Sequence, residues 1–117
     1  MKNPVLKNKS FEFGIKIINY CQQLSKEDKE YVLSKQLMRS GTSIGALICE
    51  AEFGQSRADF ISKMSIALKE ANEVNYWLKI LRDTKYIDNA MFTSINKDCL
   101  ELVAILTAII KTTKSKK

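Results

Sequence analysis

The chain has 117 residues, of which 45% are hydrophobic and 27% are charged, with one proline and four glycines. This length predicts a single domain over residues 1–117, and the shortage of turn formers predicts an all-α protein. Because the sequence contains no histidine, it excludes Ser-His and Cys-His dyads and most zinc and di-iron ligand sets.

The net charge of +6 is concentrated at the two ends of the chain. The remaining residues carry 12 basic and 13 acidic groups, because 7 of the 19 basic residues belong to the ends. We therefore predict a near-neutral body with short basic tails at about 1–9 and 111–117. The seven terminal lysines are Lys2, Lys7, Lys9, Lys111, Lys114, Lys116 and Lys117.

Two further features bear on the compartment. We expect no signal peptide and no membrane segment, since no stretch approaches the roughly 18 consecutive apolar residues of a membrane helix. Cys21, Cys49 and Cys99 are odd in number and far apart, which favours reduced, buried thiols. Both features predict a cytoplasmic protein.

The first two helices are predicted from their apolar spacing. Ser10 is the expected cap of the first helix, and the polar segment SKEDKE is the expected connection. The second helix is predicted from about Lys29 to Gly54, because its three-four spacing continues through RSGTSIGALICEA without a break. The predicted stripe of the first helix is Phe11, Ile15, Ile18 and Cys21, widened by Phe13, Ile17 and Leu24.

The last two helices have clearer start signals. Ser56, three residues before Asp59, predicts the start of a third helix that runs to about Thr84. Asp88 predicts the start of a fourth helix, followed by a fraying tail, KTTKSKK. Four amphipathic helices with short connections predict an antiparallel up-down-up-down bundle, which would bring the two lysine clusters side by side.

A second face of the second helix is built from small residues, with Phe53 at its end. Glycine inside a helix costs roughly 0.5–1 kcal/mol relative to alanine, so a close approach by another helix is expected, either within the bundle or from another subunit. On the third helix, Ile61 and Trp77 lie off the main stripe, which favours an oligomer over a monomer. The residues of the small face are Thr42, Gly45, Ala46, Cys49 and Phe53.

The segment from Leu37 to Leu81 resembles the four-helix-bundle proteins known as 23S rRNA intervening-sequence proteins. Leu47 stands where that family usually has asparagine. The resemblance rests on an R-S-x-x-S-I motif, a following glutamate and an S-x-x-D-F motif, matched here by Arg39, Ser40, Ser43, Ile44, Glu50, Ser56, Asp59 and Phe60.

The resemblance implies a homopentamer with a central channel. Some members of the family are encoded within insertions in 23S rRNA genes. Relatives serve as accessory proteins to the reverse transcriptases of diversity-generating retroelements, which implies nucleic-acid binding by a basic surface. For most members no defined activity is known.

Carboxylates on the second and third helices have two interpretations, structural ion pairs or a metal or acid–base site. We favour ion pairs because the chain lacks the histidines of known bundle metal sites, and we expect no cofactor or metal. The candidate ion-pair residues are Arg39, Glu50, Arg57, Lys69, Glu70 and Glu73.

The terminal lysines have three interpretations: solubilising tails, a surface for nucleic-acid phosphates, or a contact with an anionic membrane. The membrane alternative lacks the apolar face that an interfacial helix needs. We therefore predict a non-enzymatic homo-oligomeric bundle that binds RNA or DNA electrostatically as a scaffold or accessory factor. The alternative is a protein-interaction scaffold with no nucleic-acid role, and no small-molecule substrate is expected.

Overall fold

The structure, a computed structural model, describes residues 3–116 and contains four α-helices. They are α1 (Pro4–Asp28), α2 (Val32–Glu52), α3 (Arg57–Asp83) and α4 (Asn89–Ser115). Each helix packs against two others, in the cyclic order α1, α2, α3, α4. The predicted all-α, antiparallel up-down-up-down bundle is therefore confirmed.

Two of the predicted helix starts are confirmed by their hydrogen bonds. The side chain of Ser56 accepts from the backbone N–H of Asp59 at 3.0 Å. The side chain of Asp88 accepts from the backbone N–H of Met91 at 2.7 Å. Each bond satisfies one of the N–H groups that the first turn of a helix leaves without a partner.

The predicted start of the first helix was wrong. α1 begins at Pro4, and the Asn3 side chain accepts from the N–H of Leu6 at 2.9 Å. Proline is favoured at this position because its missing N–H would have no helical partner there. Ser10 lies inside the helix, where it is buried and its hydroxyl donates to the carbonyl of Lys7.

The core-facing stripe of α1 also differs from the predicted one. Phe11 and Ile15 are exposed, at 69% and 46% of their surface, although they were expected to lead the stripe. Cys21 of the leading stripe is buried as predicted, and the three residues that were expected only to widen the stripe are buried beside it. Sequence spacing could not separate the two sets, because both repeat at helical spacing. The buried apolar residues of α1 are Leu6, Phe13, Ile17, Tyr20, Cys21 and Leu24.

The glycine- and serine-rich stretch of α2 is continuous helix, as predicted. Its boundaries differ: Lys29 has a left-handed φ of 57° and ends α1, and α2 ends at Glu52, two residues before Gly54. Gly41 is where α1 and α2 approach most closely, since an added Cβ would lie 2.8 Å from Cγ2 of Ile17. Close packing within the bundle therefore explains this glycine.

The predicted basic tails are mostly helical. Lys7 and Lys9 lie in α1, and Lys111 and Lys114 lie in α4. Thr113, between the last two, is buried, so the expected fraying does not occur over this part of the chain.

The sequence predicted three buried cysteines, and two of them are buried. Cys21 and Cys99 are buried, whereas Cys49 is exposed. Over residues 3–116, no helix combines the length and the hydropathy that crossing a bilayer requires.

Candidate nucleic-acid interface

One end of the bundle carries the excess of positive charge. At this end α1 and α3 begin and α2 and α4 end, so residues distant in sequence come together. Lys2 and Lys117 of the predicted set lie outside the described residues. We call this surface the basic end and define it by Lys7, Arg57, Lys111, Lys114 and Lys116.

Two of the predicted lysines are paired with acidic side chains. The ammonium of Lys7 lies 3.1 Å from the carboxylate of Glu52. Lys9 pairs with Glu101 on α4, and the hydrogen bond and charge of that carboxylate raise the pKa of Lys9. A phosphate would have to compete with a carboxylate for either lysine, so they are the weaker members of the predicted set.

Four cations at this end have no such competitor. Within residues 3–116, no carboxylate oxygen lies within 4.0 Å of the charged groups of Arg57, Lys111, Lys114 or Lys116. All four residues are exposed. The Arg57 guanidinium donates to the backbone carbonyl of Lys116, which joins the start of α3 to the end of α4. These side chains are available to solvent anions.

The opposite end of the bundle is electrically balanced. Its segments 26–35 and 82–91 contain five basic and five acidic residues. At the basic end, segments 3–9, 50–59 and 111–116 contain six basic and three acidic residues. The charge asymmetry therefore runs along the long axis of a body that measures about 50 Å by 20 Å by 20 Å.

Two cavities open at the basic end. One, of about 290 Å³, lies between the four helices and is lined by apolar side chains such as Phe60 and Met64, with Lys7 and Glu52 at its edge. The other, of about 280 Å³, lies beside the connection between α2 and α3. Its lining includes Gln55, Arg57, Phe60 and Lys116.

The carboxylates considered for a metal site contact basic side chains instead. Arg39 bridges Glu70, at 3.1 Å, and Glu73. Lys63 lies 3.2 Å from Glu50. The pKa of Arg39 is raised, first by its hydrogen bond to Glu73. These pairs are partly exposed, and such pairs contribute at most about 1 kcal/mol each.

The remaining ion-pair candidates behave differently from the prediction. Lys69 has no carboxylate within 4.0 Å among the described residues, so the expected pair with Glu73 is not formed. Arg39 contacts Glu73 instead. Arg57 contacts a backbone carbonyl and not an acid. The hydroxyl of Ser43 lies 3.1 Å from Glu70 and adds to the contact between α2 and α3.

The small-residue face of α2 forms one wall of an outer groove against α1. The groove has a volume of about 400 Å³. An alanine Cβ at Gly45 would make ordinary contacts, the nearest at 3.5 Å, and one at Gly14 would meet nothing within 4 Å. Packing within the chain therefore requires neither glycine. The groove's apolar and small lining residues are Phe11, Gly14, Ile15, Ile18, Thr42, Gly45, Ala46 and Cys49.

The other interface candidates lie away from this groove. Phe53 follows the end of α2 and is 78% exposed, and it is not part of the groove lining. Ile61 and Trp77 are half-buried on α3, against the core. Trp77 also stacks edge-on against Tyr76, with ring centroids 5.2 Å apart. The predicted interface residues therefore do not form one surface: some line the groove between α1 and α2, and the others lie at the end of α2 and on α3.

The buried thiols are poorly suited to nucleophilic chemistry. Burial raises the pKa of Cys21 to about 11 and that of Cys99 to about 12. The thiol of Cys99 donates to the carbonyl of Ala71 at 3.2 Å. Both remain protonated at neutral pH, and a thiolate is the form that reacts.

The sequence reasoning overlooked two features of these surfaces. Phe11 and Ile15 line the groove, but they were assigned to the core because their spacing fits either face. Gln55, beside Arg57, was not considered because a lone amide in a connection carries no pattern. The sequence did contain a signal for the position of Phe11 and Ile15: the first helix carries two apolar stripes, and only one of them can face the core.

The chain is similar to known proteins at the level of a family and of a solved structure. It matches the family model described as 23S rRNA-intervening sequence protein over residues 2–108. It is similar to a crystal structure of a protein with unknown function from the S23 ribosomal protein family, from Bacteroides thetaiotaomicron VPI-5482. The two share 56% identity with a TM-score of 0.90, over 91% of this chain and 98% of that one. No curated protein matches.

Proposed function

Because this chain belongs to the 23S rRNA-intervening sequence protein family, whose function is unknown, we propose its role from its own surface. We propose that it is a non-enzymatic helical scaffold that binds the phosphate backbone of RNA or DNA through its basic end. One observation carries the proposal. Arg57, Lys111, Lys114 and Lys116 are exposed at one end of the bundle without a carboxylate within 4.0 Å.

The chemistry of the basic end suits phosphate better than base edges. Lysine and arginine side chains displace the counterions that surround nucleic acids, which gives strong but salt-sensitive binding. The cations lie at the start of α3 and at the end of α4, so no helix is presented along its length for insertion into a major groove. Binding is therefore expected to depend weakly on sequence.

A titration with charge variants tests this proposal. The triple variant Lys111→Gln, Lys114→Gln, Lys116→Gln keeps α4 at full length, and its matched control changes Lys26, Lys35 and Lys79 to glutamine. The basic-end variant should bind labelled RNA and DNA more weakly, and its slope of log affinity against log salt should fall by about 2 to 3. The control should bind like the unmodified chain.

Fluorescence anisotropy between about 50 mM and about 200 mM salt measures both quantities. Absence of binding by the unmodified chain at the lower salt would contradict the proposal. Equal losses in the two variants would contradict it too, because both variants lose three positive charges and only their location differs.

We also propose that the scaffold is a homo-oligomer, with five subunits favoured by the resemblance. The groove between α1 and α2 contains Gly14 and Gly45, although packing within the chain would allow a side chain at both positions. On α3, Ile66 and Tyr76 are exposed as well. Association through two different surfaces generates a ring where the rotation closes, and a ring whose axis runs along the bundles would place every basic end on the same face.

Blocking the groove tests the assembly. A Cβ at Gly45 makes only ordinary contacts, the nearest at 3.5 Å, so Gly45→Leu is expected to place its side chain in the groove and to keep the helical circular dichroism. Light scattering should show the mass falling from a multiple of the 13.3 kDa chain mass to the chain mass itself. Ala104→Leu, on an exposed position of α4, is the control and should keep the assembled mass. A monomeric unmodified chain would contradict the proposal.

A protein-interaction scaffold is the second candidate, and the same groove favours it. If the groove accepts a helix of a different protein, the chain would be monomeric alone and would bind no nucleic acid. The titration and the mass measurement together separate the two candidates.

A further inference from the structure

The connection between α2 and α3 presents the most exposed large apolar side chain described in the structure. Phe53 leaves 78% of its surface in water, although burying such a ring would yield about 1.5–3 kcal/mol. It sits at the basic end, four residues before Arg57. An exposed aromatic ring beside cations is the combination with which proteins hold unpaired bases.

Backbone hydrogen bonds hold this connection in place. The N–H of Phe53 donates to the carbonyl of Glu50 at 3.2 Å, and that of Gly54 to the carbonyl of Ala51 at 3.0 Å. The N–H of Gln55 donates to the carboxylate of Asp59 at 3.2 Å. The carboxylate of Asp59, in the first turn of α3, is thus engaged by the backbone. These bonds hold the backbone of residues 53–55 in place, so the connection itself needs little ordering on binding.

Polar residues follow the ring in the sequence, and Arg57 among them contacts the end of α4. Gln55 is exposed, and its amide can both donate and accept hydrogen bonds. The cavity of about 280 Å³ beside it is lined by Gly54, Gln55, Arg57 and Lys116, with Phe60 among its apolar residues. Phe53 is not among the residues that line this cavity, but it directly precedes Gly54, which is. This end of the bundle therefore offers a flat apolar face and an amide from the connection, and two cations from the start of α3 and the end of α4.

We propose that this connection holds an unpaired nucleotide, with the base stacked on Phe53 and the phosphate bound by Arg57 and Lys116. The inference rests on the proposed function and narrows its ligand to single-stranded nucleic acid. A duplex hides the faces of its bases inside the stack, so only an unpaired strand can use the ring. Duplex of the same sequence binds through its phosphates alone.

The test compares one labelled oligonucleotide, alone and annealed to its complement, at the same low salt. The unmodified chain should bind the single strand more tightly than the duplex. Phe53→Ala should weaken single-strand binding roughly ten-fold, within the range of one lost stacking contact, and leave duplex binding unchanged. Tyr31→Ala removes an exposed aromatic ring at the opposite end and should change neither. Phe53→Trp should restore the preference.

A base analogue provides an independent readout. The fluorescence of 2-aminopurine in the single strand should be quenched by the unmodified chain and by Phe53→Trp, and not by Phe53→Ala. Quenching that persists in Phe53→Ala would overturn the inference.

The remaining outcomes are distinguishable. Equal binding of both forms by the unmodified chain would overturn this inference and leave the proposed function standing. Binding of neither form would overturn the proposed function itself. A fall in the light-scattering mass of Phe53→Ala would assign Phe53 to a subunit contact and overturn the stacking role.

Discussion

The two ends of the bundle differ in their connections and in their charge. The basic end has one connection between helices and two side-chain caps, Asn3 and Ser56, whereas the opposite end has two connections and one side-chain cap, Asp88. The opposite end balances five basic residues against five acidic ones, whereas the basic end carries six against three. Helix formation therefore does not require the excess charge of the basic end.

The distribution of carboxylates explains the contrast. At the opposite end Asp83 lies 2.9 Å from Arg82, and the pKa of Asp83 is lowered, first by that hydrogen bond. At the basic end the carboxylates of Glu50 and Glu52 contact Lys63 and Lys7. The third acid, Asp59, accepts from the backbone N–H of Gln55. Within residues 3–116, no carboxylate pairs with Arg57 or with the lysines near the end of α4. The comparison teaches that local pairing, and not net charge alone, decides which surface can attract phosphate.

Removing residues 111–117 is expected to have the largest effect of the changes considered. It should lower both the stability of the fold and the affinity for nucleic acid. The sequence predicted a fraying tail over these residues. Thr113 is buried, however, and Arg57 donates to the carbonyl of Lys116. We expect the free energy of unfolding to fall by roughly 1–3 kcal/mol, measured by urea denaturation. An unchanged free energy would contradict the packing assigned to the end of α4.

Making the opposite end basic should have a smaller effect. Glu27→Lys with Asp83→Lys changes its charge from zero to +4 and leaves the Asp88 cap in place. We expect about a ten-fold rise in affinity for duplex at low salt, because the new lysines add phosphate contacts. The preference for a single strand should not increase, since this end lacks the Phe53 connection. An anisotropy titration with the duplex and with the single strand measures whether the affinity for both rises equally. An unchanged affinity for the duplex would contradict the prediction.

The fold was largely predictable because its signals are local. The caps at Ser56 and Asp88 and the unbroken spacing of α2 each involve residues within a few positions of one another. The Asn3-Pro4 start was missed although it is equally local, because Ser10 offered a plausible cap beside the first apolar residues. The stripe of α1 was ambiguous for a physical reason: Phe11 and Phe13 both begin helical repeats, and only packing selects one.

The candidate site was less predictable because its electrostatics depend on distant residues. Lys7 pairs with Glu52 and Lys9 with Glu101. Each pair joins two helices, and the sequence does not show which residues of neighbouring helices face each other. Lysines that looked equivalent in the sequence therefore divide into paired and available groups. The sequence left open whether Gly45 serves packing within the bundle or contact with another subunit. Only the structure distinguishes it from Gly41, where an added Cβ would clash with Ile17.

Lysine footprinting tests most directly the claim that the basic end binds phosphate. The chain would be acetylated briefly with and without saturating single-stranded nucleic acid at low salt, and the modified lysines quantified by mass spectrometry. The account predicts that Lys111, Lys114 and Lys116 are protected, whereas exposed lysines at the opposite end, Lys26 and Lys35, react as before. Equal protection at the two ends, or protection at the opposite end alone, would contradict it.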